Sequence, residues 1–399
     1  MARALVLLWD NFGPLHQDRV RSVATAFGAV RDVTGIELCG KSDVYDWIGD
    51  DNGGYRQITL YDDHDLSELR TIPLLFRLIG TAFRLGRGDY VLCHWNVRAI
   101  LFFAIWLRVT GSKVYAMGCS KYDDKPRSAK TEFLKSLMFL PYNGAIASGH
   151  RSVDYFRFMG IPARHISGEY NTVSIERIRM LAQKEPAPGG LAYESRVFLC
   201  VARLVPKKNL SVLLRAYARY CATTAAAARD LVVCGSGPLE QELRVLAHDL
   251  GVSERVSFTG FVQTEEVCQH FSRALALLLP SLEEQFGNVV PEAMSMGLPV
   301  ILSDNAGARD LLVRSAVNGF VVEPDNPEGL AFFMCALAQD QVLWNRMAQA
   351  SCAAALGGDV TEFARAIQNL TGVPGALPPR PVLPASPVKS ESTRNEAGA

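Results

Sequence analysis

Short apolar segments rich in β-branched residues alternate with longer helical patterns along almost the whole chain. The predicted strands are 4–8, 36–39, 57–60, 90–94, 113–117, 145–148 and 165–167 in the first half, and 197–202, 231–234, 256–258, 274–279, 300–303 and 320–322 in the second. Continuous apolar strands separated by helices are typical of parallel sheets that helices cover on both faces. The pattern predicts an α/β protein with two doubly wound, Rossmann-like domains facing each other across a cleft.

A stretch rich in Pro and Gly, 184–190, separates the two sets of strands. We therefore expect an amino-terminal domain at 1–183, a hinge at 184–195 and a carboxy-terminal domain at 196–371, whose last helix can pack back on the first domain. The length of 399 residues suits two domains of ordinary size. Residues 372–399 hold 6 of the 20 prolines and no periodic pattern, which predicts a disordered tail.

Charge and cysteine content narrow the class of protein. The 41 Lys and Arg balance the 41 Asp and Glu, which argues against a nucleic-acid partner. The nine cysteines occur singly, without C-x-x-C, and several lie in apolar runs, so we expect free thiols in a reducing compartment. With no secretory signal and no apolar run of bilayer length, we expect a cytoplasmic protein.

The balanced charge hides a basic region in the first half. Residues 66–140 contain 12 Lys and Arg against 5 Asp and Glu. Within 70–87, Arg77, Arg84 and Arg87 are expected on one face of an otherwise apolar helix. Such a helix can lie on an anionic membrane, here the inner face of the cell membrane, or its arginines can simply form the solvated face of a domain helix.

Polar residues follow the strands of the second half, where parallel α/β sheets bind ligands. Arg203 and Lys208 follow the strand 197–202 and precede a helix with Asn209 as its expected N-cap. Two cations beside a helix start suit a diphosphate, although an exposed basic turn would look the same. The glycines of Gly235-Ser-Gly237 permit close approach of the backbone to a ligand, or form only a tight turn.

Two glutamates eight residues apart follow the strand 274–279. Gly287 and Pro291 suggest that a helix begins near Val289, which would leave Glu284 in the loop before it. Glu284 and Glu292 can then face one ligand, and carboxylates are good acceptors for the hydroxyls of a sugar or ribose. The alternative is a helix cap with one solvated glutamate.

Six segments of the second half occur in the order and spacing of glycosyltransferase family 4, namely 203–208, 235–238, 255–260, 284–292, 297–300 and 318–319. The chain resembles this family densely over 196–330 and more loosely before it. The resemblance implies the GT-B architecture and a retaining transfer of a sugar from a nucleoside diphosphate to an acceptor hydroxyl. The sugar nucleotide would be a co-substrate, with no metal and no other cofactor.

The resemblance also implies roles for the matching residues. Arg203 and Lys208 would neutralise the diphosphate of the donor, Glu284 would hold the hydroxyls of the sugar, and Glu292 would hold the ribose. The other donor-binding positions are Gly13, Gly235, Val262, Phe286, Gly287, Asn288 and Val289.

Candidate residues of the first half follow its strands. Gly13 matches one of the family's paired glycines, with Pro14 beside it. His94 matches a family histidine that lies beside the reacting centre. It is therefore a catalytic candidate together with Arg203, Lys208 and Glu284. The alternative is a structural histidine. His16, Trp95 and Asn96 are the candidates on the acceptor side.

The implied acceptor is a glycan or a lipid-linked molecule, and the implied pathway is bacterial surface polysaccharide or glycolipid synthesis. A phosphorylase or epimerase of the same fold and a non-catalytic sugar-nucleotide binding protein remain alternatives. The acidic string Asp63-His64-Asp65 lies in a polar stretch and is interpreted as a solvated loop, not as a metal site.

Overall fold

The first domain is a parallel sheet with helices on both faces. The computed structural model describes residues 3–41, 54–124 and 127–380. In the described residues the strands of the first sheet are β1 Ala4–Trp9, β2 Asp32–Cys39, β3 Arg56–Tyr61, β4 Gly88–Leu92, β5 Lys113–Gly118, β6 Gly144–Ala147 and β7 Ile166–Ser167. Their helices are α1 Pro14–Phe27, α2 Thr71–Leu85, α3 Arg98–Val109, α4 Ala129–Met138 and α5 Gly149–Phe158. The next helix, α6 Ile175–Ala182, lies in the core of the second domain although it precedes the expected boundary at 183. The strand order is β3-β2-β1-β4-β5-β6-β7, with Leu8 opposite Leu92 where β1 pairs with β4.

The second domain repeats this plan. Its described strands are β8 Val197–Val201, β9 Leu231–Cys234, β10 Val256–Gly260, β11 Ala274–Leu279, β12 Val300–Ser303 and β13 Gly319–Val322, in the order β10-β9-β8-β11-β12-β13. The remaining helices are α7 Leu210–Thr224, α8 Glu240–Asp249, α9 Thr264–Arg273, α10 Val289–Ser295, α11 Ala308–Leu311, α12 Pro327–Gln339, α13 Gln341–Ala355 and α14 Val360–Thr371. In both sheets the strand order reverses beside the first strand of the domain, which is where α/β proteins open a ligand crevice.

The structure confirms the fold class, because every predicted strand is present and every pairing between strands is parallel. The central strands β1 and β11 are wholly buried, as expected for sheets that are covered on both faces, whereas the edge strands β3 and β10 are partly exposed. One boundary differs in a way that matters for the site. β4 ends at Leu92, so His94 lies beyond the strand, with φ 56° in the left-handed region.

The last helix crosses back to the first domain. Phe363, Ala364 and Ile367 of α14 lie in the core that α1 forms against the first sheet. Ser22 donates a hydrogen bond to the carbonyl of Val360 (3.0 Å), which fixes the start of α14 on α1. The first domain therefore contains segments from both ends of the described chain.

The expectation of a disordered tail is wrong for its first nine residues. Residues 372–380 follow α14 and pack beside α1, where Ala376 N–H donates to the carbonyl of Ala26 (2.8 Å). Arg380 forms ion pairs with Glu362 (3.0 Å) and Glu169 (3.5 Å). These contacts offset the cost of ordering a Pro-rich segment. The rest of the expected tail, 381–399, lies outside the described residues.

None of the helices in the described part of the chain combines the length and apolar character needed to cross a bilayer. All nine cysteines are described and free. Burial raises the pKa of several of these thiols, including that of Cys200 to about 12, so these side chains are protonated and unreactive at neutral pH.

Candidate active site

Loops at the carboxyl ends of the two sheets bring the predicted site residues together. In the second domain these loops follow β8, β9 and β11 and carry Arg203, Gly235 and Glu284. In the first domain the loops that follow the neighbouring strands β1 and β4 carry Asp10 and His94. Side chains of the two domains meet across the cleft, where Asn171, in the segment after β7, donates to Asn288 (2.7 Å).

Lys208 and Glu284 form an ion pair in the cleft. Lys208 ends a short 3-10 turn after β8, and its Nζ donates a hydrogen bond to Oε2 of Glu284. Ser281 adds a second donor to the same oxygen (3.4 Å). As expected, α10 begins at Val289, which leaves Glu284 in the preceding loop.

Arg203 lies nearby on the surface, with no hydrogen bond or ion pair among the described contacts of its side chain. Its guanidinium is thus available to a ligand that enters between the domains. An exposed guanidinium and a half-buried ammonium on one loop suit a phosphate group.

Asn209 is at the N-cap position of α7, as expected, but its side chain makes no capping hydrogen bond. Its backbone adopts φ 58°, and its side-chain amide donates to the carbonyls of Pro280 (3.1 Å) and Pro324 (2.6 Å). The amide ties the basic turn to the loops after β11 and β13. Asn209 therefore positions Lys208 instead of closing a helix end.

Two glycines are required by the backbone at the same edge. Gly235 has φ 135°, and a Cβ there would lie 2.0 Å from the carbonyl oxygen of Ala202. Gly287 has φ 95°, and a Cβ would come within 3.2 Å of the side chain of Glu284. Only glycine adopts these conformations without strain. Both glycines therefore allow a close approach between neighbouring loops at this edge.

Glu292 lies in the first turn of α10 and is largely buried. No described residue makes a hydrogen bond or ion pair with its carboxylate, although Arg177 and Arg19 are near enough to influence it. Burial raises the pKa of Glu292 to about 7 against the opposing effect of the two arginines. An acceptor without a partner at the wall of a cleft is suited to hydroxyls supplied by a ligand.

The remaining donor-binding candidates differ in their surroundings. Val262 is half-buried in the loop after β10, and Phe286 is buried in the core of the second domain. Asn288 reaches across the cleft to Asn171, and Val289 starts α10 half-buried. Phe286 can therefore contact a ligand only through its backbone.

His94 is paired with a residue that the sequence analysis missed. Its Nε2 lies 2.9 Å from Oδ1 of Asp10, and both side chains are partly exposed at the carboxyl edge of the first sheet. Burial opposes a charge on His94, but Cys93 and the hydrogen bond to Asp10 favour it, and the pKa of His94 rises to about 11. The cleft thus holds an imidazolium beside a carboxylate.

The other first-domain candidates have different surroundings. Gly13 precedes α1 and leaves the amino terminus of that 14-residue helix open toward the cleft. His16 stacks on Trp9 (5.0 Å) and its Nδ1 contacts the carbonyl of Asn11 (2.9 Å), while burial lowers the pKa of His16 to about 4. The neutral ring donates from Nδ1, which leaves Nε2 as an acceptor.

Trp95 is not an acceptor-side residue. Its ring is buried against Phe139 (4.7 Å) in the core beneath α3 and α4, away from the cleft. Asn96 is exposed in the same loop. The left-handed backbone at His94 turns the chain so that His94 and Trp95 point to different environments.

Polar contacts between the domains extend along one side of the cleft. Arg151 of α5 pairs with Asp310 of the second domain (2.7 Å) and with Asp123 of the first (3.0 Å). Lys121 donates to the carbonyl of Asn305 (2.6 Å). These bonds hold the two loop sets at the distance seen here.

The acidic string near Asp63 contributes no site in the described structure. Asp65 caps a short 3-10 turn through Ser67 N–H (2.7 Å), and Asp63 is an exposed partner of Lys41 (3.3 Å). In residues 3–41, 54–124 and 127–380, no group of three or more His, Cys, Asp or Glu side chains has an arrangement that could hold a metal ion.

Comparison with known proteins finds one family that the second domain resembles. Residues 182–352 match the model of the family described as glycosyl transferases group 1. An uncharacterized glycosyltransferase of Methanocaldococcus jannaschii is 34% identical over 143 residues, which are 36% of each chain. The D-inositol 3-phosphate glycosyltransferase of Streptomyces griseus is 32% identical over 216 residues, 52% of this chain and 44% of that protein. The matches thus span less than half the length of these curated relatives.

Solved structures extend the likeness to both domains. The lipopolysaccharide outer core galactosyltransferase WaaB is 18% identical with a TM-score of 0.68, covering 93% of this chain and 99% of that one. The HepE protein of Anabaena, solved with UDP, is 19% identical with a TM-score of 0.68, covering 93% of this chain and 100% of that one. Residues 182–352 are therefore similar to the glycosyl transferases group 1 family, and the chain has the two-domain GT-B architecture of these solved structures.

Proposed function

We propose that the protein transfers a sugar from a nucleoside-diphosphate sugar to an acceptor hydroxyl, with retention of the anomeric configuration and without a metal ion. One observation carries this proposal. The carboxyl edge of the second sheet gathers the ion pair of Lys208 and Glu284, the exposed Arg203 and the unpartnered Glu292, and it faces the first-domain edge that carries His94.

The diphosphate, the ribose and the sugar of a sugar nucleotide would each find suitable residues in this site. Arg203 and Lys208 would neutralise the diphosphate, and Glu292 would accept hydrogen bonds from the ribose hydroxyls. When the donor binds, Lys208 would pair with the phosphate, and Glu284 would accept hydrogen bonds from the sugar. The glycines at 235 and 287 let these loops pack closely against Ala202 and Glu284 at the carboxyl edge of the sheet.

The reaction needs stabilisation of the leaving group more than it needs a nucleophile. The bond between the anomeric carbon and the phosphate oxygen breaks, and the acceptor oxygen bonds to the same face of that carbon. The acceptor proton passes to the leaving phosphate. Arg203 and Lys208 stabilise the charge that develops on the diphosphate, and the His94 imidazolium adds a positive charge from the first domain. The two cations of the second domain would take the place of a metal ion.

The acceptor is proposed to bind on the first domain, beside Asn96 and His16, and to be a glycan or a lipid-linked molecule. Support comes from a relative in Mycobacterium tuberculosis, a GDP-mannose-dependent mannosyltransferase of phosphatidylinositol monomannoside, which is 34% identical over 155 residues. A cytoplasmic enzyme at the inner face of the membrane, in bacterial surface polysaccharide or glycolipid synthesis, would be consistent with such an acceptor.

Transfer is tested with a panel of nucleoside-diphosphate sugars and lipid-linked acceptors, with nucleoside diphosphate release and the proton NMR spectrum of the product as readouts. The proposal expects an α-linked product from an α-linked donor, at a rate that EDTA does not change. An inverted product, or activity that requires a divalent cation, would contradict the retaining or metal-independent part.

The same assay separates two alternatives. A phosphorylase would release a sugar phosphate, and an epimerase would return a changed sugar nucleotide without using an acceptor. A non-catalytic binding protein would bind the donor and release nothing.

A further inference from the structure

Three neighbouring helices of the first domain share an outer face that is rich in exposed apolar side chains. We define the α2–α4 face by its large exposed apolar residues, which are Ile72, Phe76, Phe83, Phe102, Ile105, Val109, Phe133, Leu134, Leu137 and Leu140. Phe83 is 81% exposed and Val109 is 82% exposed, so these side chains pack on almost nothing within the chain. Monomeric soluble proteins rarely expose large contiguous apolar patches without an interaction that covers them.

The topology of the sheet places these side chains on one surface. β4, β5 and β6 are adjacent, and the helices that follow β4 and β5 lie side by side on one face because such crossovers are right-handed. α2 packs against α3, and buried residues of both helices share one core cluster with Phe139, which follows α4. α1 and α14 cover the opposite face. The outer surfaces of α2, α3 and α4 are therefore continuous.

The charge of this face is one-sided. α2, α3 and α4 carry six basic residues, which are Arg77, Arg84, Arg98, Arg108, Lys130 and Lys135. Their one acidic residue, Glu132, is buried and pairs with Arg127 (3.2 Å) and Lys135 (2.6 Å). No exposed carboxylate on these three described helices offsets the basic side chains.

We propose that the α2–α4 face docks the protein on an anionic lipid bilayer, with its apolar side chains inserted between lipid headgroups and its Lys and Arg side chains bound to lipid phosphates. Basic residues interspersed with aromatic and aliphatic ones are the composition of interfacial membrane segments. Lysines and arginines reach the headgroups while their stems lie along apolar surface. A protein interface would instead be depleted in lysine at its core.

The position of the face relative to the cleft follows from the fold. Each crossover helix starts near the carboxyl end of one strand and runs back to the amino end of the next. Ile72, Arg98 and Lys130 at the starts of the three helices thus lie toward the cleft edge of the first sheet. Docking through this face would bring the opening of the cleft to the membrane surface.

The arginines of 70–87 are one part of this basic surface. Arg77 and Arg84 are exposed and lie seven residues apart on one side of α2, as expected, and Arg87 is exposed beyond the end of α2 at Leu85. The guanidinium of Arg77 lies over the ring of Tyr61 (4.0 Å). The basic residues that would attract an anionic membrane are therefore spread over all three helices, α2, α3 and α4.

Co-sedimentation of the full chain with vesicles tests the proposal independently of any transfer activity. Vesicles of phosphatidylcholine with phosphatidylglycerol should bind the protein, those of phosphatidylcholine alone should bind it much less, and high salt should weaken binding. The double variant Arg108→Glu/Lys130→Glu should lower the partition coefficient roughly 25-fold or more, at about fivefold per basic residue removed. Arg215→Glu/Arg346→Glu, at exposed positions of the second domain, should leave it unchanged.

A second pair of variants tests the contribution of the apolar side chains to membrane binding. Phe83→Ser/Val109→Ser/Phe133→Ser changes one exposed residue on each helix and should lower binding at least about tenfold. Val245→Ser/Phe332→Ser/Val342→Ser changes exposed apolar residues of the second domain and should not. Circular dichroism shows that each variant is folded.

Three results would overturn the proposal. The first is an absence of wild-type binding to both kinds of vesicle. The second is equal binding by the face variants and their controls. The third is self-association without vesicle binding that the apolar triple variant abolishes, which would assign the face to a second copy of the chain.

Discussion

Lys208 and Glu284 lie 76 residues apart and form a hydrogen-bonded ion pair that joins the loop after β8 to the loop after β11. Both side chains are mostly buried, at 15% and 14% exposed. A pair of this kind is stabilising only while both partners are present, since removal of one leaves the other charged and poorly solvated. The ion pair therefore stabilises the site when no donor is bound, and it consists of the two side chains that are proposed to contact the donor.

Lys208→Met should reduce transfer by about 10²–10³-fold, because it removes a cation that stabilises the leaving diphosphate. Lys207→Met is the matched control, since Lys207 is exposed and contributes to the site only its carbonyl, which accepts from Leu282 N–H (2.8 Å). Initial rates of nucleoside diphosphate release measure the effect. Equal rates for the two variants would remove Lys208 from the mechanism.

Glu292 should make the protein less stable as the pH rises. Its folded pKa of about 7 exceeds the ordinary value of 4.5, so the folded state binds a proton that the unfolded state has already lost. The free energy of unfolding then falls as the pH rises from 4.5 to about 7, and the full loss of stability is reached above pH 7. Glu292→Gln removes this cost, which is roughly 1–3 kcal/mol.

Thermal unfolding of the wild type and Glu292→Gln at acid and alkaline pH measures this difference. The variant should unfold at a higher temperature than the wild type at alkaline pH and at a similar temperature at acid pH. It should also bind nucleoside diphosphate more weakly, because an amide is a poorer acceptor for two ribose hydroxyls. A variant that is less stable than the wild type at alkaline pH would show that Glu292 is charged and paired.

Asp10→Asn should lower the pKa of His94, because it removes the carboxylate that favours the imidazolium. Since the folded pKa of about 11 lies above the ordinary 6.5, the pair stabilises the fold fully below pH 6.5 and loses this effect as the pH rises toward 11. Long-range nitrogen–proton NMR of the imidazole rings reports the change. His16, whose pKa is lowered to about 4, should stay neutral in both proteins. An unchanged His94 titration in Asp10→Asn would rule out Asp10 as its partner.

Gly235→Ala should destabilise the second domain by about 3 kcal/mol or more, because the backbone has φ 135° and the new Cβ would meet the carbonyl of Ala202 at 2.0 Å. Gly251→Ala is the control. Its φ of 69° is also left-handed, but no atom lies within 4 Å of the added Cβ, so about 1–2 kcal/mol is expected. Denaturant unfolding compares the two, and equal losses would mean that the loop after β9 can relax.

The sequence predicted the sheets well because each strand is an apolar run buried on both faces, as in β11. It also located Arg203, Lys208, Glu284 and Glu292, because residues after parallel strands converge at one edge. The ion pair of Lys208 with Glu284 was not predictable, since it depends on how the loops after β8 and β11 fold.

Asp10 was missed for a related reason. It follows β1 directly, as His94 follows β4, and the adjacency of these strands is a property of the strand order. Trp95 was misassigned because the left-handed turn at His94 sends the indole into the core, and a non-glycine residue in that conformation is seldom signalled by sequence. The order of residues 372–380 depends on α14 returning to α1, a long-range contact.

Binding of nucleoside diphosphates, followed by isothermal titration calorimetry, tests the central claim most directly. At least one of UDP, GDP and ADP should bind the wild-type protein at a single site, with EDTA present. Lys208→Met and Glu292→Gln should each weaken that binding, and Lys207→Met should not. Failure of all three diphosphates to bind the folded protein, or equal binding by all variants, would contradict a sugar-nucleotide site at the carboxyl edge of the second sheet.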